Sequence, residues 1–240
     1  NEEVRGLVAS AHTAASAVSP GQEAIDAKAA AVFDIVANAS SFRFNSVAEA
    51  LIKSYRGISN LQLAPGGVIS VIHPLQGNFG AVGHDLMNDP AQRDGALAAI
   101  RKGGVIFVGP ITLIQNGKRA IIARNPTFIT TPGFVGDLAE FPNFWGFTTM
   151  LTTLEDLFKV TPLENSEEYN VNFVAYAMTA NGPALLHTAG RAPGVARGSE
   201  DELEGWLAHA QSHDPIRVEF KVDELNLHWV MDLWPKDGWK

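Results

Sequence analysis

One carboxylate stands out by its setting. Asp85 follows Ala81-Val82-Gly83-His84 and precedes Leu86-Met87, so it is an acid among small and apolar neighbours. A carboxylate in such a place is desolvated unless something donates hydrogen bonds to it. Two roles fit. It caps a turn by accepting backbone N–H groups, or it accepts an N–H or O–H from a bound ligand. The residues alone leave both open.

Other arrangements carry less chemistry. Gly77-Asn78-Phe79-Gly80-Ala81-Val82-Gly83 is glycine-rich, but its spacing is not G-x-G-x-x-G and no Walker lysine follows. The next helix starts too late to offer its amides to a phosphate. His209 and His213 stand four residues apart on an expected helix and share a face. Two ligands do not close a metal site, and His near a helix C-terminus is favoured by the dipole, so no metal is assigned. Glu167-Glu168 and Glu200-Asp201-Glu202 lie in polar stretches and read as solvated faces. No G-x-S-x-G is present, and no nucleophile has a base nearby in sequence. There is no cofactor motif. A hydrolytic or metal-dependent enzyme would need catalytic groups converging in one cleft, and the expectation is that this chain is not an enzyme.

Composition narrows the class. The 240 residues are 46% apolar and 18% charged, an ordinary globular balance with material for one large or two small domains. The formal charge is −8, and no Lys/Arg cluster supplies the basic patch that nucleic-acid binding favours. With no cysteine, disulfide and thiolate chemistry are excluded. No apolar run is long enough to span a membrane. The Ala-rich start, GLVASAHTAASA, lacks the basic and densely apolar parts of a signal peptide and reads as a helix. A chain that opens on a helix and stops at WPKDGWK fits a module excised from a larger protein, with membrane segments flanking it in the parent.

The elements that must position these residues are marked by their punctuation. Ser19-Pro20-Gly21-Gln22 caps a helical run to about Asn38, with Ile25, Ala29, Val32, Phe33 and Val36 on one stripe. That stripe must bury against something; a parallel homodimer contact through Ile25, Val32 and Val36 is expected, with packing on the sheet as the alternative. Asn38-Ala39-Ser40 is a glycosylation sequon whose plainer reading is a polar helix end. Asn45 is expected to cap a helix from Ser46 to Tyr55, with Val47, Leu51 and Ile52 inward and Gly57 ending it.

Ile58, Leu61 and Leu63 begin a sheet, Pro65-Gly66-Gly67 turns, and Val68, Ile69, Val71 and Ile72 return. Asp89-Pro90 opens the next helix, which Gly103 ends. Val105–Val108, Ile111–Gln115 and Arg119–Ala123 read as strands, the last two joined at Asn116-Gly117, the strongest hairpin signal in the chain. Thr130–Pro142 is a Pro/Gly-containing loop and the expected domain boundary. Beyond it, a second sheet is expected to begin near Asn143 with Phe144-Trp145-Gly146-Phe147. Thr153 caps a helix from Leu154 to Lys159, and strands follow at Asn172–Met178, Ala184–His187, Ile216–Val222 and Leu225–Leu233. A capping box at Ser199–Glu202 opens a helix between them, running to about His213. Sheet, helix, sheet thus occurs twice, without a sequence repeat.

Residues 58–128 closely resemble the CHASE domain, the extracellular sensory module of receptor histidine kinases and nucleotide cyclases. The matching pieces, in order and spacing, are Leu63–Ile69, Pro74-Leu75-Gln76-Gly77-Asn78, Gly83–Met87, Gly109–Leu113 and Pro126-Thr127-Phe128. Phe144–Phe147 and Leu154–Leu157 are similar to the family's return strand and helix. The resemblance implies an α+β fold: a long N-terminal helical stalk over residues 1–56, a membrane-distal PAS-like unit over 57–142 and a membrane-proximal PAS-like unit over 143–240. It further implies an extracytoplasmic domain, bound to a small molecule in the distal pocket and flanked by transmembrane helices that lead to a cytoplasmic kinase or cyclase.

Plant members bind cytokinins, adenine derivatives, through an Asp that matches Asp85. A strand residue matching Phe107 packs on or bonds the ligand, and a polar residue on the next strand matches Asn116. His73 stands where an aromatic is usual, and the segment His73–Asn78 looks like the microbial branch. That departure argues against cytokinin itself while keeping a ligand. Two arrangements are set against each other. A sensor has a cavity bordered by Asp85, Phe107 and Asn116. A structural or protein-interaction module has Met87, Phe107 and Phe128 collapsed together in its place. Both terminal strands are expected in the second sheet, with the chain ends close together, and Trp229, Trp234 and Trp239 near the C-terminal end suit an interface with lipid, while ordinary strand packing explains the first two equally well.

Overall fold

The computed structural model describes residues 43–130, 136, 138–166, 168–190, 192, 194–196, 198 and 201–239. The expected stalk stripe, the Asn38 sequon and the place of the N-terminus lie outside them. The chain divides into two compact units, Asn1–Leu51 and Ile52–Lys240. Residues 43–54 are helical, so Asn45 lies within the helix and does not cap it, and Val47, expected inward, is exposed.

Two antiparallel sheets build the larger unit. The first comprises β1 (Asn60–Pro65), β2 (Val71–His73), β3 (Ile106–Thr112), β4 (Arg119–Phe128) and β5 (Phe144–Thr153), in the order β2-β1-β5-β4-β3. The second comprises β6 (Val171–Thr179), β7 (Gly182–Ala189), β8 (Ile216–Val222) and β9 (Leu227–Pro235), in the order β7-β6-β9-β8. An α+β architecture with two sheets is therefore present, but the expected boundary at 142/143 is corrected. Strand β5 does not begin the second sheet. It lies at the centre of the first, paired along its length with β1 and β4. The sheets change between Thr153 and Val171.

Among the described residues, the sheets are accompanied by the α-helices α1 (Arg93–Lys102), α2 (Leu154–Lys159) and α3 (Glu202–Gln211). Helix α1 starts later than Asp89-Pro90 suggested. Those residues form a turn in which Asp89 Oδ1 accepts from Ala91 N at 2.8 Å. Gly103 ends α1 in the left-handed region, φ +69°, as a C-terminal glycine does. Thr153 caps α2 as expected, its hydroxyl accepting from Asp156 N at 3.1 Å. The strands expected at Val105–Val108 and Ile111–Gln115 are one strand, β3, with a register shift between Val108 and Ile111.

Alternation along the strands sets two faces. One face of the first sheet carries Ala64, Ile72, Ile106 and Phe147 and packs under α1 through Ala96, Ala99 and Ile100. The opposite face of β3 and β4 offers Phe107 and Ile121 to a second core with Phe158, Phe173 and Leu186. Helix α3 covers the far face of the second sheet, where Trp206 and Trp234 are buried with Val174 and Val230. There the buried Asp232 accepts a bidentate pair from Arg217, Nε at 2.8 Å and Nη2 at 2.9 Å. Trp234 is therefore a core residue, and Trp239 is exposed, its indole donating to the carbonyls of His213 and Asp214.

Candidate functional site

Asp85 sits on the loop between β2 and α1, joined by an isolated bridge to Val68 in the β1–β2 connection. Its Oδ1 accepts from Met87 N at 2.8 Å and from Asn88 N at 3.1 Å, and its Oδ2 accepts from Asn88 Nδ2 at 2.7 Å. This is an Asx turn, the capping role among the two open readings. Desolvation pushes the carboxyl's pKa up, but the bonds from the Asn88 side chain and the Met87 and Asn88 amides outweigh it and hold the pKa below the usual range. A lowered folded pKa means stability that is complete above the unfolded value of about 3.9 and lost as pH falls through the folded one. Asp85→Ala removes all three bonds and is expected to cost roughly 1 kcal/mol at pH 7, the usual worth of a cap. In urea melts that deficit should shrink below about pH 4. A deficit independent of pH would contradict the ionised cap.

Asp85 also borders an open cleft of about 730 Å³ between the 84–92 loop and the second half of β3, with Asp89, Gln92, Pro110 and Ile114. Within it His84 Nε2 donates to Asp89 Oδ2 at 2.9 Å. The other expected site residues do not converge there. Phe107 points to the opposite face of the sheet and packs in the second core. Its own carbonyl accepts from Asn226 Nδ2 at 3.2 Å. Asn116 turns back into its hairpin, Oδ1 accepting from Lys118 N at 3.0 Å. His73 is on β2, the edge strand farthest from β3. Neither contrasted arrangement is found: Met87 packs against the first core beside Gly67, Phe107 lies on the other face, and Phe128 is 39% exposed against the edge of Phe144.

A different set of polar residues is gathered instead. Cross-strand register places Ile72, Gln62, Thr149, Arg124 and Ile106 in one row across the first sheet, on the face beneath α1. Three of the five are polar, and all are buried: Gln62 4%, Thr149 1% and Arg124 0% exposed. Asn60 lies beside them, accepting from Gln62 Nε2 at 2.9 Å and donating through Nδ2 to Asn78 Oδ1 at 3.3 Å. Gln115 Nε2 donates to the same Asn78 oxygen at 3.2 Å, joining two loops over that end of the sheet.

Arg124 is the centre of this layer. Nη2 donates to Gln92 Oε1 at 2.6 Å and Nη1 to Gln92 O at 3.3 Å. The guanidinium lies 5.4 Å from the Phe147 ring centre. Burial pushes its pKa down to about 10, with Asp89 opposing, so it stays charged at neutral pH. Among the described residues no carboxylate forms an ion pair with it. Its Nε and the Thr149 hydroxyl have no hydrogen-bond partner. Sequence reasoning missed this layer although a signal was there: Ala120, Ile122 and Arg124 are in phase along β4.

A family model described as the CHASE domain matches residues 49–187, more than half of the chain. The chain belongs to the CHASE domain family. Among solved structures, this CHASE domain is similar in fold to an extracellular ligand binding receptor from Desulfohalobium retbaense, at a TM-score of 0.52 and 11% identity over 95% of this chain and 36% of that one. The chain thus spans about a third of that structure's length. The sensor domain of the V. cholerae histidine kinase DctB follows at a TM-score of 0.47 and 12% identity, over 96% of this chain and 93% of that one. The ligand-binding domain of the Pseudomonas aeruginosa amino acid chemoreceptor PctC, in complex with GABA, gives a TM-score of 0.42 and 14% identity, over 97% and 88%. No curated protein matches this chain's sequence. Among the described residues no helix is long and apolar enough to cross a membrane, and no three metal-ligating side chains cluster. The rings of His209 and His213 lie 4.4 Å apart against Trp234.

Proposed function

We propose that this CHASE domain is an extracytoplasmic sensing module that binds a small molecule in the unit built on the first sheet. Binding is passed to a kinase or cyclase output beyond flanking membrane segments, and a homodimer through the helical run from Pro20 to about Asn38 belongs to the same reading. The observation that carries it is the buried polar row of Gln62, Thr149 and Arg124 beneath α1. A core built for stability alone gains nothing from a buried cation and orphaned polar atoms, which cost free energy. Departures of this kind are expected where function has a use for them. Family membership supports the sensing role.

The reading is tested by thermal shift with a broad panel of neutral, cationic and anionic metabolites. Binding to the native state alone raises the melting temperature by mass action, by an amount worth about 2.7 kcal/mol at one hundred times Kd. At least one compound should give a saturable shift that is lost when Gln62 and Thr149 are replaced. A blank panel at millimolar concentration would count against a small-molecule sensor and favour a structural or protein-interaction module.

A further inference from the structure

We infer that the cleft at Asp85 and Asp89 takes a small organic carboxylate, which displaces the Gln92 side chain and is held by the buried Arg124 and Thr149 beneath α1. The inference rests on the sensing reading above and narrows its ligand.

Charge and geometry set the class. Arg124 is fully buried, and a buried cation requires a compensating charge or a full set of acceptors. The structure gives it a neutral substitute: the Gln92 carboxamide oxygen takes one Nη2 bond, and Nε is left without a partner. A carboxylate has two oxygens with the spacing of one side of the guanidinium fork, so it accepts from Nε and a terminal nitrogen together. The Thr149 hydroxyl, paired across from Arg124 in the sheet and unpartnered, supplies a further donor.

Gln92 is the side chain between the guanidinium and the cleft, since it both bonds Arg124 and lines the opening. Once displaced, its amide N–H groups can serve the bound anion. Gln92 is also the residue that precedes α1. The N-terminal end of that helix favours negative charge nearby, although Arg93 N already donates to Asp89 O at 2.9 Å.

The same surroundings select against other anions. Asp85 and Asp89 border the cleft, so a dianionic phosphate brings more charge than one guanidinium offsets. Around Arg124, Ile106, Val108 and Phe147 supply apolar surface, which suits an organic body rather than a bare ion.

The test is calorimetric titration of the full chain with the monoanions propionate, pyruvate and lactate, each beside its neutral amide, and with inorganic phosphate at matched ionic strength. At least one carboxylate should bind, with its amide and phosphate at least tenfold weaker. Arg124→Met should weaken that carboxylate at least tenfold, and this variant should fold, because an apolar side chain of similar volume is tolerated where an uncompensated charge stood. Thr149→Val keeps the shape, removes the hydroxyl and should weaken binding several-fold, so the inference stays testable if Arg124→Met misfolds. Equal binding of acid and amide, or unchanged carboxylate affinity in Thr149→Val or a folded Arg124→Met, would overturn it. So would the absence of carboxylate binding to the wild type. Should adenine or another neutral compound bind instead, with unchanged affinity for Arg124→Met, sensing survives and the carboxylate is excluded. Only a blank wider panel removes both.

Discussion

Phe147→Ala is expected to destabilise the domain by about 3–5 kcal/mol, the usual loss for deleting a fully buried phenyl ring. The ring is 0% exposed at the centre of the first sheet. It meets Phe144 edge-on at 4.9 Å between centroids and carries the Arg124 guanidinium at 5.4 Å. Its removal opens a cavity and takes from a buried cation one of its few favourable neighbours. For a chain of this size each kcal/mol is worth about 2–4 °C, so calorimetry should show a fall of roughly 10 °C. Phe147→Leu, which fills most of the space, should recover much of it. A loss below about 1 kcal/mol for the alanine variant would contradict the packing under α1.

Gly146→Ala is expected to cost about 3 kcal/mol or more, at the upper end for overpacking. An added Cβ would lie 2.3 Å from Ala64 O and 2.7 Å from Pro65 Cα. Both atoms are backbone of β1, which pairs with Gly146 at Pro65, and Gly66 N donates to Trp145 O at 2.9 Å. Neither strand can withdraw without breaking the central pair of the sheet. Gly104→Ala is the comparison, since its added Cβ meets nothing within 4 Å; its effect should be within about 0.5 kcal/mol. Equal melting temperatures for the two variants would show that β1 and β5 do not approach this closely.

Much of the local punctuation was readable from the residues, Asn45 and Asp89-Pro90 excepted, and long-range pairing was not. The Thr153 cap, the hairpin at Asn116-Gly117 and the strands β8 and β9 follow from signals a few residues long. Strand β5 was assigned to the wrong sheet because the Pro/Gly loop before it looks like a linker. Its true partners, β1 and β4, are non-local, and nothing in Phe144–Thr153 names them.

The site failed for a related reason. Phe107 entered by alignment, yet alternation with Ile106 and Val108, both under α1, already sends it to the other face. Leu61 and Leu63 drew attention as the apolar residues of β1, while Asn60, Gln62 and Ala64 face the helix. Arg124 lies one residue past the strand expected at Arg119–Ala123, and the register with Thr149 and Ile106 places it in the buried row. Asp85 was correctly singled out as an acid that needs donors, and its donors proved to be its own loop.

The central claim is that ligand is bound on the polar face beneath α1. Hydrogen–deuterium exchange, with and without the compound giving the largest thermal shift, tests it most directly. Added protection is predicted in residues 84–92, in α1 and in β4 near Arg124. Protection confined to α3 and β8, with α1 unchanged, would contradict it.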